Sequence, residues 1–572
     1  MQTLRLQRWL ETEHPLIPRS PAAAHHHPHR PLPESDELPA GAFPGVPGSS
    51  STLVGIETAA IASRDGGAQA GPAQSAGGVA AGADKDKDVD AEKGRDVMVE
   101  KDSYLVDFEP NDPANPKNWS KTKKWLVSAL LAQLCTMVGM AGSINSQAID
   151  SASAYYGVST ELMGLDTALF LSGFGVASVI WAPLSELGGR NPVYVVAIFM
   201  LVLFEIGAAL SNTLYARCIV RFLAGCAATP PLSNAGGGMG DIWTPAERSY
   251  AFTFFSVSGF FGPCLGPILG GWIAESYLGF RWCDWIQAIW AALELVIVIF
   301  LLPETFPPQV LKMKAAAIRK VTGEPRYMTA LERARQNMPF RRAFIESLKR
   351  PFAMLVLEPI VQCMCIYLTV VYIILFGDLI AWTFIFEDTY GLSVAMSGTT
   401  FLSITVGLLV CGLCSPLMYY DYIKAQRRAE EQGLTHTPPE VRLRVAIVGT
   451  WFMPISLFWA AWVNYAGVSI WAELAAQAVF GFGILTTFIA TFQYMIDSYA
   501  NVAASGLAAI TLLRYPVAGA SVMFTGPIYE RLGTHWALTL FGFVSLAISF
   551  IPIVFYVWGP KIRSLSRYVP DT

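Results

Sequence analysis

Ionisable side chains stand at isolated positions within long apolar segments of this sequence. Asp166 and Glu205 lie at a similar depth in their segments to Arg221, counted from the segment ends. A carboxylate that pairs with an arginine when ionised, and releases it when protonated, can act as a proton-dependent switch. The alternative for each acid is a structural pair between helices or, for Glu358, a contact with substrate. The candidates for proton coupling are Asp166, Glu205, Arg221, Glu294, Glu358 and Glu473.

Glycines and prolines form a second pattern in one apolar segment. The glycines recur every three or four residues, so most of them share one face of a helix. Such a face lets two membrane helices pack backbone to backbone, either as an ordinary seam or as a moving contact. Each proline removes a backbone hydrogen bond and favours a kink. The series consists of Gly259, Gly262, Pro263, Gly266, Pro267, Gly270 and Gly271.

Charged residues also cluster between the apolar segments. Glu186 and Arg190 flank Gly189 in a short turn, and Asp241 follows the fourth apolar segment. This pattern predicts a conformational latch, a charge cluster that holds helices together in one state and breaks in another. The alternative is a solvated loop whose charges contribute little to stability.

The segments that carry these residues make up most of the chain. Of the 572 residues, 53% are hydrophobic and 15% are charged, and the mean hydropathy is +0.41. These values indicate an integral membrane protein, because a stretch of about 20 apolar residues crosses a bilayer as a helix. We predict an all-α protein with twelve transmembrane helices in two six-helix bundles and a disordered N-terminal tail. The predicted spans are 125–144, 162–182, 193–211, 214–235, 250–273, 283–302, 353–376, 392–418, 445–463, 470–495, 503–528 and 535–558.

The distribution of Lys and Arg predicts the orientation. The segment 303–352 holds eleven basic residues and four acidic ones, and basic residues also flank the first and last spans. Cytosolic loops carry such an excess, so we expect both termini in the cytosol. The chain then divides into a disordered cytosolic tail (1–120), an N-terminal six-helix bundle (121–302), a cytosolic basic loop (303–352), a C-terminal six-helix bundle (353–558) and a cytosolic C-terminal tail (559–572).

Several function classes lack their motifs in this sequence. Residues 1–120 are rich in Ala, Gly, Pro and Ser, and their histidines at 25–29 are more typical of a solvated run than of a metal site. The nine cysteines lie in or beside apolar spans, which indicates packing. Neither a Walker A motif nor an H-E-x-x-H motif occurs. We therefore expect no enzyme activity, cofactor, metal or nucleic-acid partner.

Two short motifs connect the chain to a known family. Residues 182–190 read A-P-L-S-E-L-G-G-R, and residues 221–225 read R-F-L-A-G. They resemble the G-x-L-x-D-x-x-G-R and R-x-x-x-G motifs of the major facilitator superfamily, with Ala182 for the first glycine and Glu186 for the aspartate. The glycine and proline series resembles the antiporter motif of its fungal twelve-span drug:proton antiporters, including the polyamine-exporter branch. The resemblance covers about four fifths of the chain.

The resemblance implies proton-coupled export of a small molecule. We expect an amphiphilic substrate such as a secondary metabolite, toxin or drug, with polyamines as the alternative and a non-transporting membrane sensor as another. The expected partners are this substrate, protons and the lipid bilayer, and we expect a monomer. The expected location is the cell membrane, with the vacuolar membrane as the alternative. Candidates for the substrate cavity are Arg514, Phe170, Trp382, Phe488 and Tyr494.

Overall fold

Long apolar helices form the body of the protein in the computed structural model, which describes residues 104–566 apart from 337, 435, 500 and 501. Ten helices in these residues are long and apolar enough to cross a membrane. The 20-residue helix Leu214–Ser233 adds another span, although Arg217 and Arg221 lower its hydropathy. The 61-residue helix Ala503–Arg563 turns at Gly533, whose φ is +77°, and therefore holds two spans. The twelve predicted transmembrane helices are confirmed.

We label the spans α1 to α12 in chain order and call the end that carries residues 302–358 the loop side, with the far side opposite. The spans are α1 Lys121–Ala141, α2 Leu165–Gly188, α3 Arg190–Leu210, α4 Leu214–Ser233, α5 Arg248–Glu275, α6 Arg281–Leu301, α7 Pro359–Trp382, α8 Val394–Glu431, α9 Pro439–Val463, α10 Ile470–Ser498, α11 503–532 and α12 534–563.

Shorter elements connect the spans. On the far side these are the 3-10 turn Ser146–Ala148, the helices Ile149–Tyr156 and Thr160–Met163, and the π-helical turn Thr383–Thr389. On the loop side they are the 3-10 turn Pro116–Asn118 and the helices Ala235–Ile242, Pro307–Thr322, Ala330–Arg335 and Phe340–Leu357. The described residues also contain two strands, β1 Leu105–Val106 and β2 Met328–Thr329, which pair in parallel.

Helix packing joins the two bundles along two lines. Within the N-terminal bundle α1 packs on α5, α2 on α4 and α3 on α6; within the C-terminal bundle α7 packs on α11, α8 on α10 and α9 on α12. Between the bundles, α2 packs on α11 and α5 packs on α8. The space between these two lines is where a substrate path of a two-bundle transporter lies.

Residues 104–120 belong to the folded part of the protein, which corrects the predicted disordered tail over this range. Strand β1 pairs with β2, and the buried Asp112 accepts a hydrogen bond from Lys314 at 2.6 Å. Val106 of β1 and Ile318 of the helix Pro307–Thr322 are buried in one apolar cluster. The segment packs on the rest of the protein because the basic loop folds into helices with an apolar face that contacts it. Residues 1–103, including the histidines at 25–29, lie outside the described residues.

Candidate functional site

Five charged side chains from four helices meet in the N-terminal bundle near the far side, and we call them the charge network. Asp166 accepts hydrogen bonds from Arg217 Nε at 2.7 Å and from Arg221 Nε at 3.0 Å. Arg217 Nη1 also donates to Asp284 Oδ2 at 2.8 Å. Arg221 Nη1 donates to Glu205 Oε1 at 3.2 Å. All five side chains are buried, so the ion pairs are shielded from bulk water.

The charges of this network do not balance. If every group is ionised, three carboxylates face two guanidinium groups and one negative charge remains. An uncompensated buried charge is costly, so the network is most stable when it holds one proton. Among the network acids, Asp166 accepts hydrogen bonds from two arginines and from the Nδ2 of Asn145, the last at 3.3 Å. Among the described residues, Glu205 forms its hydrogen bonds and ion pair with Arg221 alone. Glu205 is therefore the carboxylate best placed to take up the proton.

The structure brings together three of the predicted coupling residues, Asp166, Glu205 and Arg221. Sequence reasoning missed Arg217 and Asp284. Arg217 lies four residues before Arg221 on α4, so both point to the same helix face. That spacing was an available signal. Asp284 lies in the first turn of α6, where its charge gave no sign that it was buried. The role of these residues in coupling stays a prediction.

Two other predicted acids lie outside the charge network. Glu294 on α6 accepts hydrogen bonds from Gln133 Nε2 at 2.5 Å and from Trp290 Nε1 at 3.0 Å. Glu358 precedes α7 on the loop side and accepts a hydrogen bond from the hydroxyl of Tyr499 at 2.8 Å. The hydrogen bonds from Gln133 and Tyr499 connect separate parts of the helix bundles, as the structural alternative for these acids expects.

A central cavity with a volume of about 60 Å³ lies between the bundles. Its walls come from α1, α2, α4 and α5 of one bundle and from α7, α10 and α11 of the other. Phe170 on α2 and Phe488 on α10, two of the predicted cavity residues, line this cavity. The Cζ of Arg221 lies 5.3 Å from the centre of the Phe170 ring. One aromatic ring thus separates the charge network from the cavity.

Two predicted cavity residues do not line this cavity. Trp382 stacks on Phe401 with ring centres 4.0 Å apart, and its Nε1 donates to Thr400 Oγ1 at 2.5 Å. Tyr494 is fully buried within the C-terminal bundle, with its ring centre 6.3 Å from that of Phe555. These predictions were wrong because each ring finds its neighbours between helices of one bundle, away from the bundle interface.

Arg514 is buried next to the cavity wall. Its Cζ lies 4.2 Å from the ring centre of Tyr372 and 4.7 Å from that of Tyr515, and both rings line the cavity. The guanidinium is therefore in contact with the wall of the predicted cavity without forming part of its surface.

A second pair of buried acids lies near the far side of the C-terminal bundle, and we call it the acid pair. It consists of Asp378 on α7 and Glu473 on α10. The Nε2 of Gln477 lies 3.4 Å from Asp378 Oδ1 and 3.4 Å from Glu473 Oε1. One oxygen of each carboxyl group has no hydrogen-bond partner among the described residues, nor has the hydroxyl of Tyr529. Within that part of the chain, no arginine, lysine or histidine forms an ion pair with either acid. Sequence reasoning named Glu473 but missed Asp378.

The glycine face of α5 packs on α1. A Cβ atom at Gly262, Gly266 or Gly270 would lie only 2.4, 2.0 or 2.1 Å from an atom of α1 or of the residues that directly follow it. Since such distances are impossible for real Cβ atoms, only glycine fits at these positions. Gly259 differs, because its Cβ would be 3.6 Å from the nearest atom, in Leu232, and it lines the cavity.

A neighbouring face of α5, about 100° around the helix axis from the first, packs on α8 across the bundle interface. A Cβ atom at Gly271 would lie 2.8 Å from the carbonyl oxygen of Val394. A Cβ atom at Gly398 would lie 2.4 Å from the carbonyl oxygen of Pro267. The helix runs from Arg248 to Glu275 without a break at either proline. The series therefore combines a seam within one bundle with a contact between the two bundles.

Of the residues predicted to form the latch, Arg190 and Asp241 form an ion pair on the loop side, and the latch role stays a prediction. Arg190 Nε lies 3.4 Å from Asp241 Oδ2, and burial raises the pKa of Asp241 to about 6 although the nearby guanidinium opposes this rise. Gly189 has a φ of +97°, and its Cβ would lie 2.5 Å from the carboxylate of Glu304. That carboxylate accepts the backbone N–H of Arg190 at 3.0 Å and so caps α3. Glu186 lies half-buried nearby but forms no ion pair within 4 Å among the described residues.

A second cluster on the loop side joins the two bundles. Asp497 at the end of α10 forms ion pairs with Arg248 of α5 and with Arg442 Nε, the latter at 2.8 Å. Arg442 Nη1 also donates to Ser249 Oγ at 2.7 Å. Arg248 of the N-terminal bundle thus pairs with Asp497 of the C-terminal bundle. The bundles are held together on the loop side by this cluster, which we call the bundle clamp.

Two six-helix bundles around a central cavity, with ionised pairs buried in the membrane region, define a membrane transporter of small molecules. The Major Facilitator Superfamily model matches residues 129–522, and the chain belongs to this family. It is 39% identical to the MFS-type transporter kojT of Aspergillus flavus over 469 residues, which are 82% of this chain and 83% of that protein.

Two further similarities support the assignment. The Citrinin biosynthesis cluster MFS transporter mrr1 of Monascus ruber is 37% identical over 475 residues, with 82% of this chain and 93% of that protein covered. Among solved structures, the proton:xylose symporter XylE matches with a TM-score of 0.55 and 13% identity, covering 77% of this chain and 96% of that chain. The structural match shows the shared fold.

Proposed function

We propose that this protein is a proton-coupled exporter of amphiphilic small organic molecules, such as secondary metabolites, toxins or drugs. One observation carries the proposal: a buried network with one more carboxylate than guanidinium groups contacts Phe170 in the cavity wall through Arg221. A change of protonation in the network therefore reaches the cavity through a single ring. In the proposal, the loop side faces the cytosol of the cell, and the protein acts as a monomer in the cell membrane.

The coupling follows from the charges of the network. When Glu205 takes up a proton from the far side, its attraction to Arg221 weakens, and Arg221 then interacts mainly with Asp166. The guanidinium shifts, and so does the Phe170 ring that it contacts. Release of the proton on the other side restores the pair. Rocking of the two bundles about the contact between α5 and α8 would alternate access to the cavity, with the bundle clamp broken when the loop side opens.

The composition of the cavity wall supports an amphiphilic substrate. Its lining is mostly aromatic and aliphatic, with hydroxyl groups from Ser143, Ser256 and two tyrosines. No carboxylate is among the described residues that line it, which disfavours the polyamine alternative because polyamines need anionic partners. The name of the relative mrr1 places that protein in a citrinin biosynthesis cluster. This relationship supports a secondary metabolite as substrate.

Gradient-driven transport in proteoliposomes tests the proposal. Liposomes with reconstituted full-length protein and an acidic lumen should accumulate at least one of three permanently charged or polybasic probes: naphthalene-2-sulfonate, a naphthylmethyl trimethylammonium and spermidine. A protonophore should abolish the accumulation. Accumulation of none of the probes, or accumulation that survives the protonophore, would contradict proton-coupled export.

The variant Glu205→Gln identifies the coupling group. It mimics the protonated acid at nearly constant volume, so it should lose gradient-driven accumulation and retain exchange of labelled substrate across the membrane. Glu294→Gln is the matched control, because Glu294 is equally buried but lies outside the charge network. If Glu294→Gln loses coupling and Glu205→Gln keeps it, the proton path runs through α6 beside α1.

A further inference from the structure

Arg514 is a buried guanidinium without an acidic partner among the described residues. Only 2% of its surface is exposed, and its Nε and Nη1 have no hydrogen-bond partner. Four aromatic rings surround its Cζ at 4.2 to 5.8 Å, those of Tyr372, Phe488, Phe492 and Tyr515. These rings attract the cation but do not accept its in-plane hydrogen bonds. The group thus retains unused donors in a region where an unpaired charge is costly.

The position of Arg514 relates these free donors to the central cavity. Three of its four surrounding rings, those of Tyr372, Phe488 and Tyr515, form part of the cavity wall. The other arginine behind the wall, Arg221, is neutralised by its own carboxylates. The acid pair on the far side does not line the cavity. The nearest uncompensated charge to the cavity is therefore positive.

We propose that Arg514 forms an anion-binding subsite of the central cavity, which takes the carboxylate or enolate of an amphiphilic weak acid. The substrate's rings or chains lie among the aromatic residues of the cavity, and its anionic group reaches the guanidinium between Tyr372 and Tyr515, whose hydroxyls are further donors. This inference rests on the proposed export function and narrows its substrate class to organic anions.

Binding to the purified full-length protein, without any gradient, tests the subsite. The probes are naphthalene-2-carboxylate, naphthalene-2-methanol and naphthalene-2-methylamine at pH 7.5, which share one ring system and differ in charge. The carboxylate should bind about tenfold or more tightly than the alcohol, since hydrogen bonds to charged groups are strong in a buried site. Arg514→Gln should remove this preference and leave alcohol binding within about twofold. Arg444→Gln, which removes a half-exposed arginine on the loop side, should keep the preference.

Thermal melting separates an anion site from a structural clamp. If Arg514 is an unoccupied anion-binding site, the melting temperature of Arg514→Gln should be no lower than that of the parent protein. Naphthalene-2-carboxylate should raise the melting temperature of the parent protein and not that of Arg514→Gln. Three results would each overturn the subsite. The first is equal or tighter binding of the alcohol or the amine to the parent protein, and the second is a preference for the carboxylate that persists in Arg514→Gln. The third is a lower melting temperature of Arg514→Gln together with no change in the melting temperature of the parent protein on addition of the carboxylate. Loss of gradient-driven transport with the charge preference intact would refute only the export function.

Discussion

The charge network and the acid pair occupy comparable places in the two bundles, but their acids are neutralised in different ways. Both lie buried near the far side. In the N-terminal bundle, Arg217 and Arg221 hold the carboxylates by hydrogen bonds of 2.7 to 3.2 Å. In the C-terminal bundle, Asp378 and Glu473 share only the amide of Gln477. Without a base, two buried carboxyl groups are stable only when they carry protons.

This difference teaches that burial alone does not define a switch. In the proposed function, the charge network exchanges a single proton among opposite charges, so adding or removing this proton changes which groups attract each other. Among the described residues, the acid pair has no cation to release when a proton binds. We therefore propose that the proton-dependent change occurs in the N-terminal bundle and that the acid pair is mainly structural.

Removal of one arginine from the charge network should have the largest effect. Arg217→Gln leaves three buried carboxyl groups with a single guanidinium and deprives Asp166 and Asp284 of their shortest ion pairs. We expect the free energy of unfolding to fall by about 3 to 5 kcal/mol, as for other broken buried ion pairs. Thermal unfolding in detergent measures the change.

The control for this variant is Arg444→Gln. Arg444 is half-exposed and pairs with Asp421 at 3.4 Å, so its removal should cost less than about 1 kcal/mol. Comparable losses in the two variants would show that the charge network contributes no more than a surface pair.

Matched replacements of an aspartate by asparagine compare the two bundles directly. Asp166→Asn removes a carboxylate that two arginines contact, and we expect a loss of about 1 to 3 kcal/mol. Asp378→Asn replaces a group that should already be neutral, so its effect should stay within about 0.5 kcal/mol. The measurement is again thermal unfolding at pH 7. If Asp378→Asn destabilises the protein as strongly as Asp166→Asn, the acid pair is ionised and the comparison fails.

Asp241 offers an intermediate case with one acid and one arginine, and its effect should appear as a change of stability with pH. Burial raises its pKa from 3.8 to about 6, against the attraction of Arg190. The folded state thus favours the neutral carboxyl group of Asp241. The contribution of this group to the free energy of unfolding is complete below pH 4 and is lost as the pH rises toward 6. The loss is at most about 3 kcal/mol, since one pKa unit corresponds to about 1.4 kcal/mol.

The variant Asp241→Asn isolates this contribution. It should flatten the dependence of the melting temperature on pH between about 4 and 6. An unchanged pH dependence in Asp241→Asn would show that other groups cause the decline and that Asp241 titrates at its ordinary pKa.

Part of the site was predictable because it depends on position along a helix. The rise per residue is fixed, so residues at equal distances from their span ends, such as Asp166, Glu205 and Arg221, come to equal depth. The same geometry placed Gly262, Gly266 and Gly270 on one face of α5, where they contact α1. Depth, however, does not determine which side of a helix faces which neighbour.

The sequence by itself determined the number of spans, their lengths and the depth of each charge, because the thickness of the bilayer and the geometry of the α-helix fix them. Only the tertiary structure decided the partners. In spans that are apolar on all sides, periodicity does not mark the inner face, so Trp382 and Tyr494 could not be placed. Arg248 and Asp497 are 249 residues apart and belong to different bundles, and their contact exists only because helix packing brings the two bundles together.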